Sequence, residues 1–196
     1  MTLYSLLLAG GKSSRMGQDK RFLVFQGQTL VERSLALLQN TGSDQLLISG
    51  ELAGYKSIPD LLPDCGPLGG LHAALHHIEL ESGLNDKGQD LLLVIPVDMP
   101  FLSEQCLKTL LAGVAEADVC YYSGEVFPCV FRLSSRLRSY LDSLFSQSRE
   151  LGGDRSMKAL LRHFSSESLE PDGFSGKVFA NLNNPEDLDS FLSESD

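Results

Sequence analysis

Short apolar runs alternate with helix-forming segments through most of the chain, and this alternation constrains the fold more than any other feature of the sequence. Three segments are predicted strands: residues 3–9 and 90–97, which are largely apolar and would be buried, and residues 45–49, Gln-Leu-Leu-Ile-Ser. A helical pattern follows each run. Strands that alternate with helices form right-handed crossovers and a parallel sheet covered on both faces. The sequence therefore predicts a Rossmann-like, three-layer α/β/α fold with a mainly parallel sheet.

Local signals mark the ends of two of the predicted helices. Thr29 and Glu32 have the spacing of a capping box, which predicts a helix that begins at about Thr29. Gly42 is a candidate stop for this helix, because glycine readily adopts the left-handed conformation found after a helix. Ser103 is a candidate N-cap for a later helix that would end near Ala117.

The later part of the chain contains a predicted hairpin. Residues 119–122 and 126–133 have strand character and flank Ser123-Gly124, a turn-forming pair. This hairpin would give the sheet an antiparallel edge. The chain beyond it is predicted to be mostly helical, and we expect residues 1–196 to form a single domain.

Composition and charge exclude several classes of protein. The net charge of −10 argues against nucleic-acid binding, which depends on a basic surface. The apolar runs all fall short of the roughly 20 residues that cross a membrane, so no membrane association is expected. The N-terminal apolar run lacks a preceding basic segment and is interpreted as a strand rather than a signal peptide.

Four cysteines are spread along the chain without a C-x-x-C pair: Cys65, Cys106, Cys120 and Cys129. This spacing indicates neither a zinc site nor a disulfide framework. We therefore expect reduced thiols and a cytoplasmic location.

The first apolar run leads directly into a glycine- and serine-rich loop at residues 10–17. Glycines allow backbone N–H groups to approach phosphate oxygens, while Arg15 offers a planar fork and Lys20 a compact charge. The loop is not a P-loop, because Leu6 occupies the position of the required first glycine, and it lacks the third glycine of a dinucleotide fingerprint. The sequence predicts a distinct anion site, although a solvated basic loop is the alternative that composition alone favours.

Two further elements are expected at the same edge of the sheet. Residues 63–70 form a second glycine-rich loop, and Asp98 follows the third buried run. In an open α/β sheet, ligands bind beyond the C-terminal ends of the strands. Asp98 could instead be a turn or capping residue, and the glycines of residues 66–70 could serve only as a tight strand-to-helix connection.

Residues 8–20, with the sequence LAGGKSSRMGQDK, resemble the signature of the molybdenum cofactor guanylyltransferases, a family of MobA-like nucleotidyltransferases. Other segments match the family in the same order along the chain: Asp60, then residues 66–71, 96–101 and 181–188. Members of this family transfer GMP from GTP to molybdopterin, or its molybdenum-bound form, and release pyrophosphate. The resemblance thus implies one nucleotidyltransferase domain that uses GTP and the molybdopterin cofactor as substrates, with molybdoenzyme-maturation proteins as further partners.

The resemblance also implies roles for residues that would bind GTP. The nucleoside would contact Asp60 and a stretch of backbone formed by Leu8, Ala9, Gly10 and Gly11.

Three charged residues would serve the phosphates and the metal. Arg15 and Lys20 would hold the triphosphate, and Asp98 would coordinate Mg²⁺. A phosphate monoester with a second pKa of ~6 is largely ionised at neutral pH, so its attack on the α-phosphorus requires no strong general base. Positioning and charge neutralisation would supply most of the catalysis.

The molybdopterin side of the site is implied less directly. Gly69, Asn181 and Asn183 would lie near this substrate, and the two asparagines could also lie near the metal or simply shape the turn before the last helix. Arg155 could contact the pterin or could equally be an ordinary residue at the start of a helix.

The chain departs from the family where an asparagine often helps to read the nucleotide. Ser49 and Glu51 occupy this region, and a serine hydroxyl has a shorter reach than an amide. Guanine preference is therefore less secure than triphosphate binding. The alternatives are a related nucleotidyltransferase with another base or acceptor, such as a molybdopterin cytidylyltransferase, and a non-catalytic nucleotide-binding homologue.

Three histidines invite a metal interpretation that the sequence does not support. His72 and His76 would share one face of a helix, with His77 beside them, but no third ligand is evident nearby. We therefore expect all three to be histidines on a helix surface.

Overall fold

The structure is a computed structural model that describes residues 1–10, 19–62, 64–84, 89–146, 154–183 and 187. The strands of the described residues are β1 (Leu3–Leu8), β2 (Val24–Phe25), β3 (Gln28–Thr29), β4 (Gln45–Ser49), β5 (Leu91–Pro96), β6 (Val119–Tyr122), β7 (Cys129–Arg132) and β8 (Ser166–Leu169). The α-helices are α1 (Leu30–Asn40), α2 (Gly66–Ser82), α3 (Glu104–Gly113), α4 (Ser135–Ser146) and α5 (Met157–His163). Short 3₁₀ helices cover Lys20–Phe22 and Gly176–Phe179.

The described strands form a six-stranded sheet in the order β4-β1-β5-β7-β6-β8, and β2 and β3 form a separate small ribbon. Strand β1 lies between β4 and β5 and is parallel to both. Strand β7 is antiparallel to its neighbours β5 and β6, whereas β8 is parallel to β6. The predicted fold class, a mainly parallel sheet with antiparallel pairing on one side, is confirmed.

Successive residues of β1 pack against opposite layers of helices, because side chains alternate across a strand. Leu7 belongs to one core cluster with Leu30 of α1 and Leu107 of α3. Leu6 belongs to the other cluster, which includes Leu75 of α2. Leu6 and Leu7 are both fully buried, which explains why the strand is apolar at most positions; its one small polar residue, Ser5, is also buried. The sheet is thus covered on both faces, as a three-layer fold requires.

The local signals place helix α1 accurately and helix α3 in part. The Thr29 hydroxyl accepts from the Glu32 N–H at 3.3 Å, and the Glu32 carboxylate accepts from the Thr29 N–H at 2.9 Å, which completes the predicted capping box. Ser103 caps α3 through the Cys106 N–H. This helix ends at Gly113 rather than near Ala117, because Ala115 has a φ of 32°, which an α-helix cannot accommodate.

The hairpin and the last strand differ from expectation. A turn forms at Ser123-Gly124, where the Glu125 N–H donates to the Tyr122 carbonyl at 2.9 Å. Residues 123–128 then connect the strands, so β7 is shorter than the predicted 126–133. Strand β8 was not predicted, because it is an edge strand whose first three residues are exposed and it lacks an apolar alternation.

The four cysteines carry free thiols. Burial raises the pKa of the Cys106 and Cys120 thiols to about 11, and it also raises the pKa of the Cys129 thiol. These three thiols therefore stay protonated at neutral pH and are unsuited to nucleophilic chemistry. Among the helices that the structure describes, none combines the length and hydrophobicity needed to span a membrane.

Candidate active site

A cleft of about 920 Å³ opens at the C-terminal ends of the parallel strands β1, β4 and β5. Its walls come from the segments that follow these strands and from the start of α2. Residues 66–70, predicted as part of the second glycine-rich loop, form the beginning of this helix. Predicted site residues that line it are Leu8, Gly10, Lys20, Asp60, Asp98 and Asn181. The structure therefore brings together residues that are separated by most of the chain, at the edge of the sheet where α/β proteins bind ligands.

Lys20 and Asp98 form an ion pair inside this cleft. The Lys20 Nζ lies 2.5 Å from the Asp98 Oδ2, and the two side chains are 23% and 16% exposed. Lys20 begins the 3₁₀ helix that follows the first glycine loop, whereas Asp98 follows β5. A cation and a carboxylate therefore meet in a partly desolvated position, where each acts more strongly on a bound ion or phosphate than it would in water.

The backbone around Asp98 is fixed from two sides. The Val97 N–H donates to the Leu8 carbonyl at 3.1 Å, which continues the ladder between β5 and β1. The Leu182 N–H donates to the Asp98 carbonyl at 2.7 Å, and Leu182 is fully buried. This second bond holds the exposed Asn181 at the rim of the cleft beside Asp98.

Asp60 contributes a carboxyl group with one unsatisfied oxygen. Its Oδ1 atom is buried and has no hydrogen-bond partner among the described residues. Burial raises the pKa of this carboxyl above its ordinary value. A buried acceptor without a partner is costly, and a ligand that donates a hydrogen bond would relieve that cost.

Gly10, which follows β1, and Gly70 of α2 both lie close to the end of β4. A Cβ atom on Gly50, whose φ is +84°, would lie 2.8 Å from the Gly10 Cα. A Cβ atom on Gly70 would lie 2.6 Å from the Ser49 Oγ. Glycine at positions 50 and 70 therefore allows the segment after β1 and the start of α2 to pack against the end of β4. For Gly70, this is the structural role that the sequence left open.

Arg21, which the sequence did not single out as a site residue, holds this arrangement together. Its Nε and Nη2 atoms donate to the Asp19 carboxylate, with an Nη2–Oδ2 distance of 2.6 Å. Its Nη1 atom donates to the carbonyls of Ala9 at 3.2 Å and Glu51 at 2.6 Å. The hydrogen bonds from Arg21 hold the pKa of Asp19 below its usual value. Arg21 thus joins the segments that follow β1 and β4 to the residue before Lys20.

Other predicted residues lie away from the cleft lining. Ala9 is buried. Gly69 is buried within α2, where a Cβ atom would lie 2.9 Å from the Cys65 Cβ and 3.5 Å from the Asp60 Oδ2. Asn183 is exposed, and its N–H donates to the Asp187 Oδ2 at 2.7 Å.

Gly11 and Arg15 lie outside the described residues, as does the segment that follows Asn183 up to Asp187. Their predicted roles in nucleotide and triphosphate binding therefore stay predictions.

The mostly parallel sheet, covered by helices and with a polar cleft at its strand ends, defines a Rossmann-like fold with a candidate ligand site. Residues 5–169 match the model of the MobA-like NTP transferase domain. The chain therefore belongs to the family of MobA-like NTP transferases.

Individual relatives support this membership over nearly the whole chain. A molybdenum cofactor guanylyltransferase from Xanthomonas euvesicatoria is 34% identical, and the match covers 96% of this chain and 94% of the relative. In fold, the chain is similar to molybdopterin-guanine dinucleotide biosynthesis protein A from Archaeoglobus fulgidus, with a TM-score of 0.71, 20% identity, and coverage of 97% and 99% of the two chains. It is also similar to Rv0371c from Mycobacterium tuberculosis, solved in complex with manganese, with a TM-score of 0.65, 19% identity and complete coverage of both chains.

Proposed function

We propose that this protein is a molybdenum cofactor guanylyltransferase, which transfers GMP from GTP to molybdopterin or its molybdenum-bound form. The products are molybdopterin guanine dinucleotide and pyrophosphate. The observation that carries the proposal is the Lys20–Asp98 pair in the strand-end cleft, with a separation of 2.5 Å between Nζ and Oδ2. The 34% identity to a relative named for this activity supports the choice of substrates.

The donor set in the cleft fits a hard divalent cation. Asp98 presents a partly exposed carboxylate, and the Asn181 side chain lines the same cleft. Mg²⁺ commonly binds through one or two carboxylates and completes its coordination with water and substrate phosphates. When bound, Mg²⁺ would neutralise charge on the triphosphate and polarise the α-phosphate. Asp98 would hold it, and the manganese complex of the Mycobacterium protein shows that a protein of this fold binds a divalent ion.

Lys20 would act on the triphosphate. Its ammonium group lies at the cleft wall, directly after the glycine loop whose backbone would cradle the phosphates. In the transferase step, an oxygen of the terminal phosphate of molybdopterin attacks the α-phosphorus, and the bond to the bridging oxygen of pyrophosphate breaks. Lys20 would stabilise the charge on the departing pyrophosphate, and Arg15 is proposed to assist it.

Asp60 would recognise the nucleoside. Its Oδ1 has no hydrogen-bond partner among the described residues, and the two oxygens of a carboxylate would accept hydrogen bonds from the adjacent N1–H and N2–H groups of guanine. Ser49 and Glu51 line the same cleft and occupy the region in which the family often has asparagine. The choice of base would then depend chiefly on Asp60. A base that offers no hydrogen-bond donor would leave the buried Asp60 Oδ1 without a partner and would bind less tightly.

Arg21 would position the nucleotide site without reacting itself. It fixes the carbonyls of Ala9 and Glu51, which belong to the segments on either side of the proposed base pocket. The backbone of Leu8, Ala9 and Gly10 would thereby be preorganised for the ligand.

The experiment that tests the proposal is incubation of the protein with molybdopterin, Mg²⁺ and either GTP or CTP, followed by mass analysis of the pterin and an assay of pyrophosphate. The proposal expects the mass of one GMP to be added to molybdopterin, with release of one pyrophosphate, and far less product with CTP. Efficient product formation with CTP would identify a cytidylyltransferase instead. Tight binding of GTP without pyrophosphate release would identify a non-catalytic homologue.

A further inference from the structure

A polar cluster between helices α2 and α4 lies outside the cleft that we assign to catalysis. His72 and His76 occupy successive turns of α2, and Asp142 lies on α4. The Asp142 Oδ1 is 2.7 Å from the His72 Nε2 and 3.3 Å from the His76 Nε2. The three candidate ligand atoms all lie within 4.8 Å of one another.

This geometry corrects the expectation of a surface histidine at His72, whereas His76 and His77 are partly exposed. His72 is only 6% exposed, and its ring packs against Phe145 with a centroid distance of 4.8 Å. The third polar group, which was not evident near the histidines in the sequence, comes from Asp142 on another helix. His77 has intermediate exposure and is not part of the cluster.

The surroundings orient Asp142 and favour a positive ion. Its second oxygen accepts from the Arg138 Nε at 2.9 Å, and Arg138 also forms an ion pair with Glu79 of α2. Two carboxylates and one guanidinium leave one net negative charge beside two imidazoles.

We propose that His72, His76 and Asp142 form a binding site for a transition-metal ion of the Zn²⁺ class that bridges helices α2 and α4. Two histidines one helical turn apart with one carboxylate are a set that Zn²⁺, Co²⁺ and Ni²⁺ accept well. Tetrahedral ligands at about 2.0–2.1 Å from zinc lie about 3.3 Å apart, so small side-chain rotations would be enough to admit the ion. His76 is 30% exposed and Asp142 41% exposed, which leaves an entry path and a place for a coordinated water.

The site is chemically and spatially distinct from the proposed catalytic metal position. None of its three ligands lines the cleft, and imidazole nitrogens suit zinc-like ions rather than Mg²⁺. Helix α2 nevertheless begins at the cleft, where Gly66 and Pro67 form part of the wall. An ion bound one to three turns further along α2 would therefore link this helix to α4. It would also stabilise the native state against unfolding.

The test is calorimetric titration of the metal-free protein with ZnCl₂ in the presence of excess Mg²⁺, which occupies the proposed catalytic position. The wild type is expected to bind one Zn²⁺ with micromolar or tighter affinity and to melt at a higher temperature when loaded. His76→Ala and Asp142→Asn should each weaken binding at least tenfold, since a lost ligand costs more than the 10–100-fold of an outer-shell change. His77→Ala, which alters an adjacent histidine outside the cluster, is the matched control and should bind as the wild type does.

NMR spectroscopy of the unmodified protein tests the proposed zinc site even if a variant unfolds. The imidazole nitrogens of His72 and His76 should shift in the ¹⁵N NMR spectrum as Zn²⁺ is added, and those of His77 should not. The proposal is overturned if the wild type binds no Zn²⁺, if His76→Ala and Asp142→Asn bind it as tightly as the wild type, or if the two imidazoles do not respond. The cluster would then be a hydrogen-bonded helix contact only.

Discussion

The two halves of the sheet differ in role: one ends at the cleft, and the other contributes mainly to the buried core. The parallel half, β4-β1-β5, ends at the cleft, and its strands are followed by Gly50, Gly10 and Asp98. The other half, β7-β6-β8, contributes chiefly buried packing, such as the fully buried Tyr122, although Phe127 of the hairpin connection reaches the cleft. Strand β7 alone runs opposite to the other five strands of this sheet, and the connection from β6 to β7 brings Phe127 to the edge where the cleft lies. Mutations in the two halves should therefore separate activity from stability.

The largest effect is expected at the end of β5. Asp98→Ala removes the carboxylate that would hold the divalent ion, and we expect kcat/KM for GTP to fall by about 10²–10³-fold, a typical loss for a group that stabilises transition-state charge. Pyrophosphate release at saturating Mg²⁺ measures it, and circular dichroism should show an unchanged fold. Wild-type turnover would place the metal elsewhere.

A smaller loss is expected when the strand-end segments are loosened without removing a reacting group. Arg21→Ala breaks the hydrogen bonds to Asp19, Ala9 and Glu51. KM for GTP should rise roughly tenfold while kcat changes less, because a positioning residue acts through binding and preorganisation. Steady-state kinetics over a range of GTP concentrations separate the two constants, and a fall in kcat with an unchanged KM would contradict this role.

A mutation in the β7-β6-β8 half of the sheet should reduce stability and leave the kinetic constants almost unchanged. The Tyr122 hydroxyl donates to the Cys106 carbonyl at 2.8 Å in the core, so Tyr122→Phe leaves a buried carbonyl without this partner. We expect the free energy of unfolding to fall by about 1–3 kcal/mol, as measured by urea denaturation. The values of kcat and KM should stay within about twofold of the wild type. A large kinetic defect in a stably folded Tyr122→Phe protein would break the division between the halves.

The smallest effect concerns the pH dependence of stability. Burial raises the pKa of Asp60, so the native state binds this proton more tightly than the unfolded chain does. The group therefore destabilises the native state as the pH rises through its native pKa, and this penalty is absent at lower pH. Asp60→Asn should flatten that part of the stability profile and leave the protein no less stable at neutral pH, while weakening GTP binding. Urea denaturation at several pH values measures the slope, and an unchanged slope would show that Asp60 is not desolvated.

Local patterns predicted most of the parallel half. The largely apolar run of β1 and the Thr29–Glu32 capping box depend on neighbours in sequence, and the structure confirms both. The chain order of strands and helices was enough to bring Lys20 and Asp98 to the same edge of the sheet.

The remaining features depend on contacts between distant parts of the chain. Arg21 meets the Glu51 carbonyl and His72 meets Asp142 only after folding, so no spacing rule reveals either contact. Strand β8 depends on pairing with β6 and carries polar residues suited to an exposed edge, and its sequence therefore lacks the alternation of a half-buried strand.

The most direct test of the account is a crystal structure of the protein with Mn²⁺ and a non-hydrolysable GTP analogue, with the metal located by anomalous scattering. The account predicts a manganese ion at about 2.1–2.2 Å from an Asp98 carboxylate oxygen, with the triphosphate against Lys20 and the base against Asp60. Manganese and nucleotide bound away from the cleft, with the Lys20–Asp98 ion pair unchanged, would contradict it.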